Sequence, residues 1–304
     1  MNLTYRLVLL ITLLSTTQVF ADPYKTIGNG RLFTNDYITD GQDRWRSGSY
    51  VFSLVKSRNS WAGQLPEKFG ELVELRFRNE IIAPANLINP APGDRKYAGI
   101  LSFGLHSHSQ FSSGTELSAG VDLVFAGAGT GVGSFQDAFH NSFLGQDPNI
   151  VFDSQIEGFF PTATFELSQP VKLSDSTTLR PFIEGVAGVE TLVRIGADVV
   201  LGETGQDDLF LRDVTTGQLY RGAQTLAGGF SFVLGGDLAF VSQSEYLPAN
   251  AGYVLTNSRT RLRAGVHWLT GESSLFYGVT WLGPEFMAQP EGQFTGSLRL
   301  TWQF

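Results

Sequence analysis

The chain has 304 residues, no cysteine and a formal net charge of −8, with 16% charged and 12% aromatic residues and 35 glycines. The acidic balance argues against a nucleic-acid partner and suits a surface that holds divalent cations, while the lack of cysteine excludes a disulfide framework. Beyond the amino-terminal segment no run of 18 or more uncharged apolar residues occurs, which excludes helical membrane spans.

Arg6 and the amino terminus give a positive start, Leu7 to Leu14 an apolar run too short to span a bilayer, and Val19-Phe20-Ala21 a small-residue cleavage site. That is the pattern of an export signal over residues 1–21, followed by one domain over 22–304. From there nearly every segment alternates with a period of two. Runs between turn signals predict strands near 28–38, 45–57, 70–83, 97–111, 114–127, 160–172, 178–189, 191–201, 227–242, 256–270, 273–283 and 292–304. Twelve is an even number, and most runs reach the 9–11 residues or so that a tilted strand needs to cross a bilayer.

The third strand sets Val73, Leu75 and Phe77 against Glu74, Arg76, Arg78 and Glu80. Four charges on one face would be ruinous in a dry core but are ordinary in a polar barrel lumen, where neighbouring strands supply partners. In the last strand Phe294, Leu298, Leu300, Trp302 and Phe304 oppose Gln293, Thr295, Ser297, Arg299 and Thr301, and the chain ends on an aromatic, as outer-membrane barrels generally do. The expected fold is therefore all-β, a twelve-stranded antiparallel transmembrane β-barrel with a short helix in an extracellular loop. Two features fit this scheme less well, a long connection over Glu203 to Ala223 on the periplasmic side and a very short outer turn near Glu190.

The helix is predicted over Gly133 to Gly145, where Phe135, Phe139 and Phe143 recur every fourth residue beside a stripe of Gln136 and His140. With both termini in the periplasm, strand parity puts four polar clusters at the outer rim. These are Asn35-Asp36, Ser47, Asp94-Arg95 and the helix of His140. His106, His108 and His267 fall in the lumen below, as filling side chains, and Asp94-Arg95 reads as a rim salt bridge that fixes its loop.

The runs NDYITDGQDRWRSG (Asn35 to Gly48), GDRKYAG (Gly93 to Gly99) and GVGSFQDAFHNSFLG (Gly131 to Gly145) resemble the three signature blocks of the lipid A 3'-O-deacylase family of Gram-negative outer membranes. The resemblance covers the first half of the mature chain, and the second half shares barrel patterning alone. It implies a twelve-stranded barrel that hydrolyses acyl esters of lipid A with Ca²⁺, in the outer membrane among its lipids. The family's essential histidine falls on His140 and its Asn-Asp pair on Asn35-Asp36. Anchored on Gly48, its tyrosine and threonine fall on Trp45 and Arg46, with the nearest hydroxyl at Ser47. Its Gln-Asn reads as Gln136-Asp137, and a lysine found in some members has no match near Asn86.

Residue types fit that chemistry. Ester hydrolysis needs a base that works near neutral pH, and histidine suits it. It also needs positive charge at the oxyanion, which a Ca²⁺ on Asp36 and Asn35 supplies. Since neighbours in a regular strand point to opposite faces, Asn35 and Asp36 can act together only at a strand end or bulge. By the same rule Ser47 replaces the threonine only if its strand starts irregularly, and it then serves as an orienting hydroxyl. As a nucleophile with His140 as base Ser47 ranks lower, because no G-x-S-x-G elbow surrounds it. The alternatives to a lipid A esterase are a catalytically silent barrel for adhesion or as a pore, and an outer-membrane phospholipase. A monomer is expected.

Overall fold

The computed structural model describes residues 23–136, 154–202, 204–225, 228–270 and 273–301. The export-signal segment, most of the predicted helix with His140, and Trp302 to Phe304 lie outside these residues. Fifteen strands are present: β1 (Lys25–Asn35), β2 (Trp45–Ser57), β3 (Leu72–Ala83), β4 (Ala98–Gln110), β5 (Glu116–Ala126), β6 (Gly158–Ser168), β7 (Val171–Ser174), β8 (Thr177–Ala187), β9 (Glu190–Leu201), β10 (Leu209–Arg212), β11 (Leu219–Ala223), β12 (Gly229–Ser244), β13 (Arg259–Thr270), β14 (Ser273–Leu282) and β15 (Gln293–Thr301).

Twelve of them form the wall, in the order β6-β5-β4-β3-β2-β1-β15-β14-β13-β12-β9-β8, and β6 pairs with β8 to close it. Strand β7 extends β6 along β8 after an interruption at Gln169-Pro170, where proline cannot donate to the ladder. All the pairings are antiparallel and every predicted strand has its counterpart within a few residues. Closure leaves no free edge in the wall, the condition for crossing a bilayer with strands.

Outward positions carry exposed Phe103, Leu105, Phe159, Phe232, Leu262 and Leu300. Phe77, Phe103, Phe125 and Phe159 form a row of ring contacts across β3 to β6, with centroids 5.5, 6.5 and 4.8 Å apart. An apolar belt of this extent belongs against lipid rather than water. Inward positions bury Glu74, Arg78, Glu80, His106, His108, Asp122, Arg261, Arg263, His267 and Arg299. Most are paired: Arg76 with Glu74 at 2.7 Å, His108 with Glu74 at 2.9 Å, Arg261 with Asp237 at 3.0 Å and Arg263 with Asp198 at 2.6 Å. Of the three lumen histidines, His108 thus bonds Glu74 and His106 faces Asp122 at 3.1 Å, whereas His267 packs its ring between Phe276 of the wall and Phe210 of β10.

The long β9–β12 connection is a plug. Its strands β10 and β11 form a hairpin that rises inside the barrel. Leu209, Leu211, Tyr220 and Ala223 of the hairpin bury against the inward faces of Leu32, Val51, Val55, Leu72 and Phe276. Gly28 and Gly30 of β1 admit it, since a side chain at either would run into the backbone of Gly222 or the ring of Tyr220. Polar contacts then tie the hairpin to the wall. Tyr220 reaches Ser53 at 2.9 Å, Arg212 donates to Glu166 at 2.6 Å and Asp198 at 2.8 Å, Gln218 to Thr280 at 3.0 Å, Arg221 to Ser231 at 2.8 Å, and Arg299 to the Arg221 carbonyl at 2.9 Å. At the tip, Thr215 donates to Glu80 at 3.2 Å. A cavity of about 320 Å³, lined by polar and apolar side chains alike, remains beside the plug.

Candidate active site at the upper rim

The end of the barrel where β1 finishes and β2 begins, opposite the start of β1 and the end of β15, is the upper rim. Asn35 is the last residue of β1 and Asp36 the first beyond it, so the strand-end geometry required for both to act is present. Asn35 Oδ1 accepts the Tyr37 N–H at 2.9 Å, while the Asp36 carbonyl accepts the N–H groups of Thr39 and Asp40 at 2.9 and 3.0 Å. These bonds fold 36–44 back over the rim. Asp36 is fully buried. Its Oδ2 accepts the Arg44 N–H at 2.8 Å, and its Oδ1 has no hydrogen-bond partner among the described residues. Burial, opposed by the Arg44 N–H and reinforced by the Asp43 and Asp40 carboxylates, pushes its carboxyl up to about 8.

Strand β2 starts irregularly. Trp45, buried, adopts φ 50°, a left-handed conformation rare for a bulky residue, and the β2–β3 register slips between Arg46 and Gly48. Ser47 is the extra residue of a bulge. Its carbonyl accepts the Asp36 N–H at 3.0 Å and its hydroxyl donates to Asp43 Oδ1. The bulge thus brings Ser47 to the Asp36 loop despite its one-residue offset, and sends Arg46 into the lumen.

Arg46 is the hub of a buried charge network across the upper lumen. It reaches Glu80 at 2.8 Å, Glu285 at 2.9 Å and Glu190 at 3.3 Å. Arg259 adds contacts to Glu190 at 2.7 Å and Glu285 at 3.2 Å, and Arg78 pairs with Glu80. The short turn at Glu190 therefore serves to place a carboxylate here. Arg95 also belongs to this network: its guanidinium pairs with Glu285, whereas Asp94 accepts the backbone N–H groups of Ala85 and Arg95 at 2.7 Å each. The Asp94-Arg95 rim salt bridge expected from the sequence is replaced by these two separate roles. Arg46→Thr is expected to destabilise the barrel toward the low end of about 3–5 kcal/mol, since each carboxylate keeps another arginine. The temperature of the gel-mobility shift on heating measures it.

The second and third blocks join the first. Tyr97 is fully buried, and burial, then the nearby Asp43 carboxylate, raise its phenol. The loop carrying the third block is tied to the second at both ends, through Gly127 N–H to the Gly99 carbonyl at 3.0 Å and Ile156 N–H to the Tyr97 carbonyl at 2.8 Å. Its helix is described over residues 132–136. Val132 packs on Gly99, and Gln136 is buried with Oε1 unpartnered among the described residues. Phe135, the one described residue of the phenylalanine stripe, is 71% exposed. Phe139, His140 and Phe143 lie outside the described residues.

Asp43 and Tyr97 are site residues that the sequence reading missed, although both stand inside its motif blocks. For a cation, no group of three His, Cys, Asp or Glu side chains able to hold a metal occurs among the described residues. Asp36 nevertheless offers one buried, unpartnered carboxylate oxygen of the hard type that Ca²⁺ takes.

A closed barrel with an apolar belt, a plugged lumen and a polar constellation at one rim is a transmembrane β-barrel of the outer-membrane type. The particular family follows from comparison: the chain belongs to the family described as outer membrane protein LpxR, whose model matches residues 7–304, well beyond the half covered by the motif blocks. Among solved structures it is similar to LpxR from Salmonella typhimurium, at 16% identity and a TM-score of 0.72 over 91% of this chain and 100% of that one. Looser matches are the β domain of the Bordetella autotransporter BrkA (12% identity, TM-score 0.45, 92% and 100% covered) and the NanC porin (9%, 0.41, 91% and 100%). No curated protein sequence matches.

Proposed function

We propose that this protein is a lipid A 3'-O-deacylase, a carboxylic ester hydrolase that removes the 3'-linked acyl or acyloxyacyl group of lipid A at the outer membrane's lipopolysaccharide leaflet. The observation that carries this reading is that the described parts of the motif blocks share one rim. Ser47 of the first block bonds Asp43, the Asp43 carboxylate lies near Tyr97 of the second, and the Tyr97 carbonyl holds one end of the loop that carries the third.

In this mechanism His140 takes a proton from water as the water oxygen attacks the ester carbonyl, then returns it to the departing alkoxide, leaving a free acid and a sugar hydroxyl. Asp36, with help from Asn35, would hold Ca²⁺, which would supply positive charge to stabilise the oxyanion. Ser47, committed to Asp43, orients the loop rather than attacking.

Mass spectrometry of lipid A from cells with and without the protein tests this. Loss of the 3' acyl mass, arrested by a chelator and restored by Ca²⁺, is expected. An unchanged pattern with Ca²⁺ present identifies a silent barrel, and free fatty acid with lysophospholipid a phospholipase.

A further inference from the structure

Gln293, the first residue of β15, lies opposite the irregular start of β2 and is 2% exposed. Its Oε1 accepts the Arg46 N–H at 2.9 Å, and its Nε2 donates to the carbonyls of Arg44 at 3.0 Å and Arg46 at 3.2 Å. One side-chain amide thus satisfies three backbone groups that flank Trp45, the residue at φ 50°, and precede the bulged Ser47. A left-handed bulky residue beside a bulge persists only where its surroundings over-determine it. On its other side β2 has lost its neighbour here, because β1 ends at Asn35 opposite Gly48, and the amide supplies the missing partners. Through Arg44 the clamp extends to the Asp36 carboxylate, and through Arg46 to Ser47 and its bond to Asp43.

We infer that Gln293 is a positioning residue for the rim site: its amide locks the Arg44-Trp45-Arg46 backbone so that Asp36 and Ser47 keep the geometry hydrolysis needs. This rests on the deacylase reading for its effect on rate, but not for its effect on structure. A strand-end glutamine would otherwise be an ordinary lumen filler, like Thr295 two residues on, which is fully buried with its hydroxyl unpartnered among the described residues.

The test compares purified full-length wild type, Gln293→Met and Thr295→Val, all checked for a heat-modifiable barrel, by hydrogen–deuterium exchange and by steady-state hydrolysis of lipid A in detergent micelles with Ca²⁺. Methionine keeps the volume and removes the amide. In Gln293→Met, exchange over residues 43–48 is expected to rise roughly tenfold, in line with loss of local protection, with kcat down about 100-fold, the cost of a misplacement near 1 Å, and KM within about twofold. Thr295→Val is expected to match wild type in both. Unchanged exchange over 43–48 in Gln293→Met, or an equal loss in Thr295→Val, overturns the clamp. Wild-type protein that fails to hydrolyse lipid A while Gln293→Met still loosens residues 43–48 upholds the clamp and overturns the deacylase reading instead.

Discussion

Asp36→Asn is expected to lower acyl release from lipid A by about 10²–10³-fold, the usual effect of removing one element of oxyanion stabilisation, while the barrel stays heat-modifiable. The Asp36 carboxyl, raised to about 8, is largely protonated at neutral pH in the absence of a cation, so a neutral amide of the same shape perturbs the cation-free fold little. It cannot, however, supply the negative oxygen that a hard cation prefers. His140→Ala is expected to cost a comparable 10²–10⁴-fold or so, the range for a general base. Because both serve one step, the double variant should fall no further than the worse single one by more than a few-fold. Initial rates of acyl release at saturating Ca²⁺ measure all three. Full activity in Asp36→Asn would remove the carboxylate from the mechanism.

Replacing residues 205–225 with a short glycine-serine linker is expected to turn a silent barrel into a conducting one. In planar bilayers the native protein should show no steady channel steps, because the β10–β11 hairpin occupies much of the lumen with an apolar cluster around Tyr220 and Leu211 and ties itself to wall strands that include β2, β6, β9, β12, β14 and β15 by hydrogen bonds or ion pairs. Above it, the arginines and glutamates around Arg46 close the bore. The wall itself is complete without the hairpin, since all twelve of its strands pair among themselves, so removing the plug should leave a barrel that inserts. Conductance by the native protein would revive the pore reading, and a silent variant would show that the rim network alone seals the lumen.

Alternation was enough to read the wall. A strand that faces lipid on one side and a polar lumen on the other must alternate, and that requirement is local, so Val73 to Glu80 and Gln293 to Thr301 announce themselves in sequence. Strand count and parity then place Asn35-Asp36, Ser47 and Asp94-Arg95 at one rim without any knowledge of contacts. The hairpin of β10 and β11 was invisible for the opposite reason. It is short and its faces touch protein on every side, so beyond the unexpected length of the Glu203 to Ala223 connection its trace in the sequence is the pair Gly28 and Gly30, some 190 residues away in β1.

By itself, then, the sequence determined the barrel, its orientation relative to its termini and the rim on which the motif blocks lie, because each follows from a repeating local pattern. Only the tertiary structure decided that Ser47 reaches Asp43 through a bulge, that Arg46 serves a charge network rather than the site, and that Gln293 holds the backbone between them. Those are contacts between residues from 4 to 247 positions apart, and a bulge changes facing by one residue without leaving a trace in the alternation that strand reading depends on.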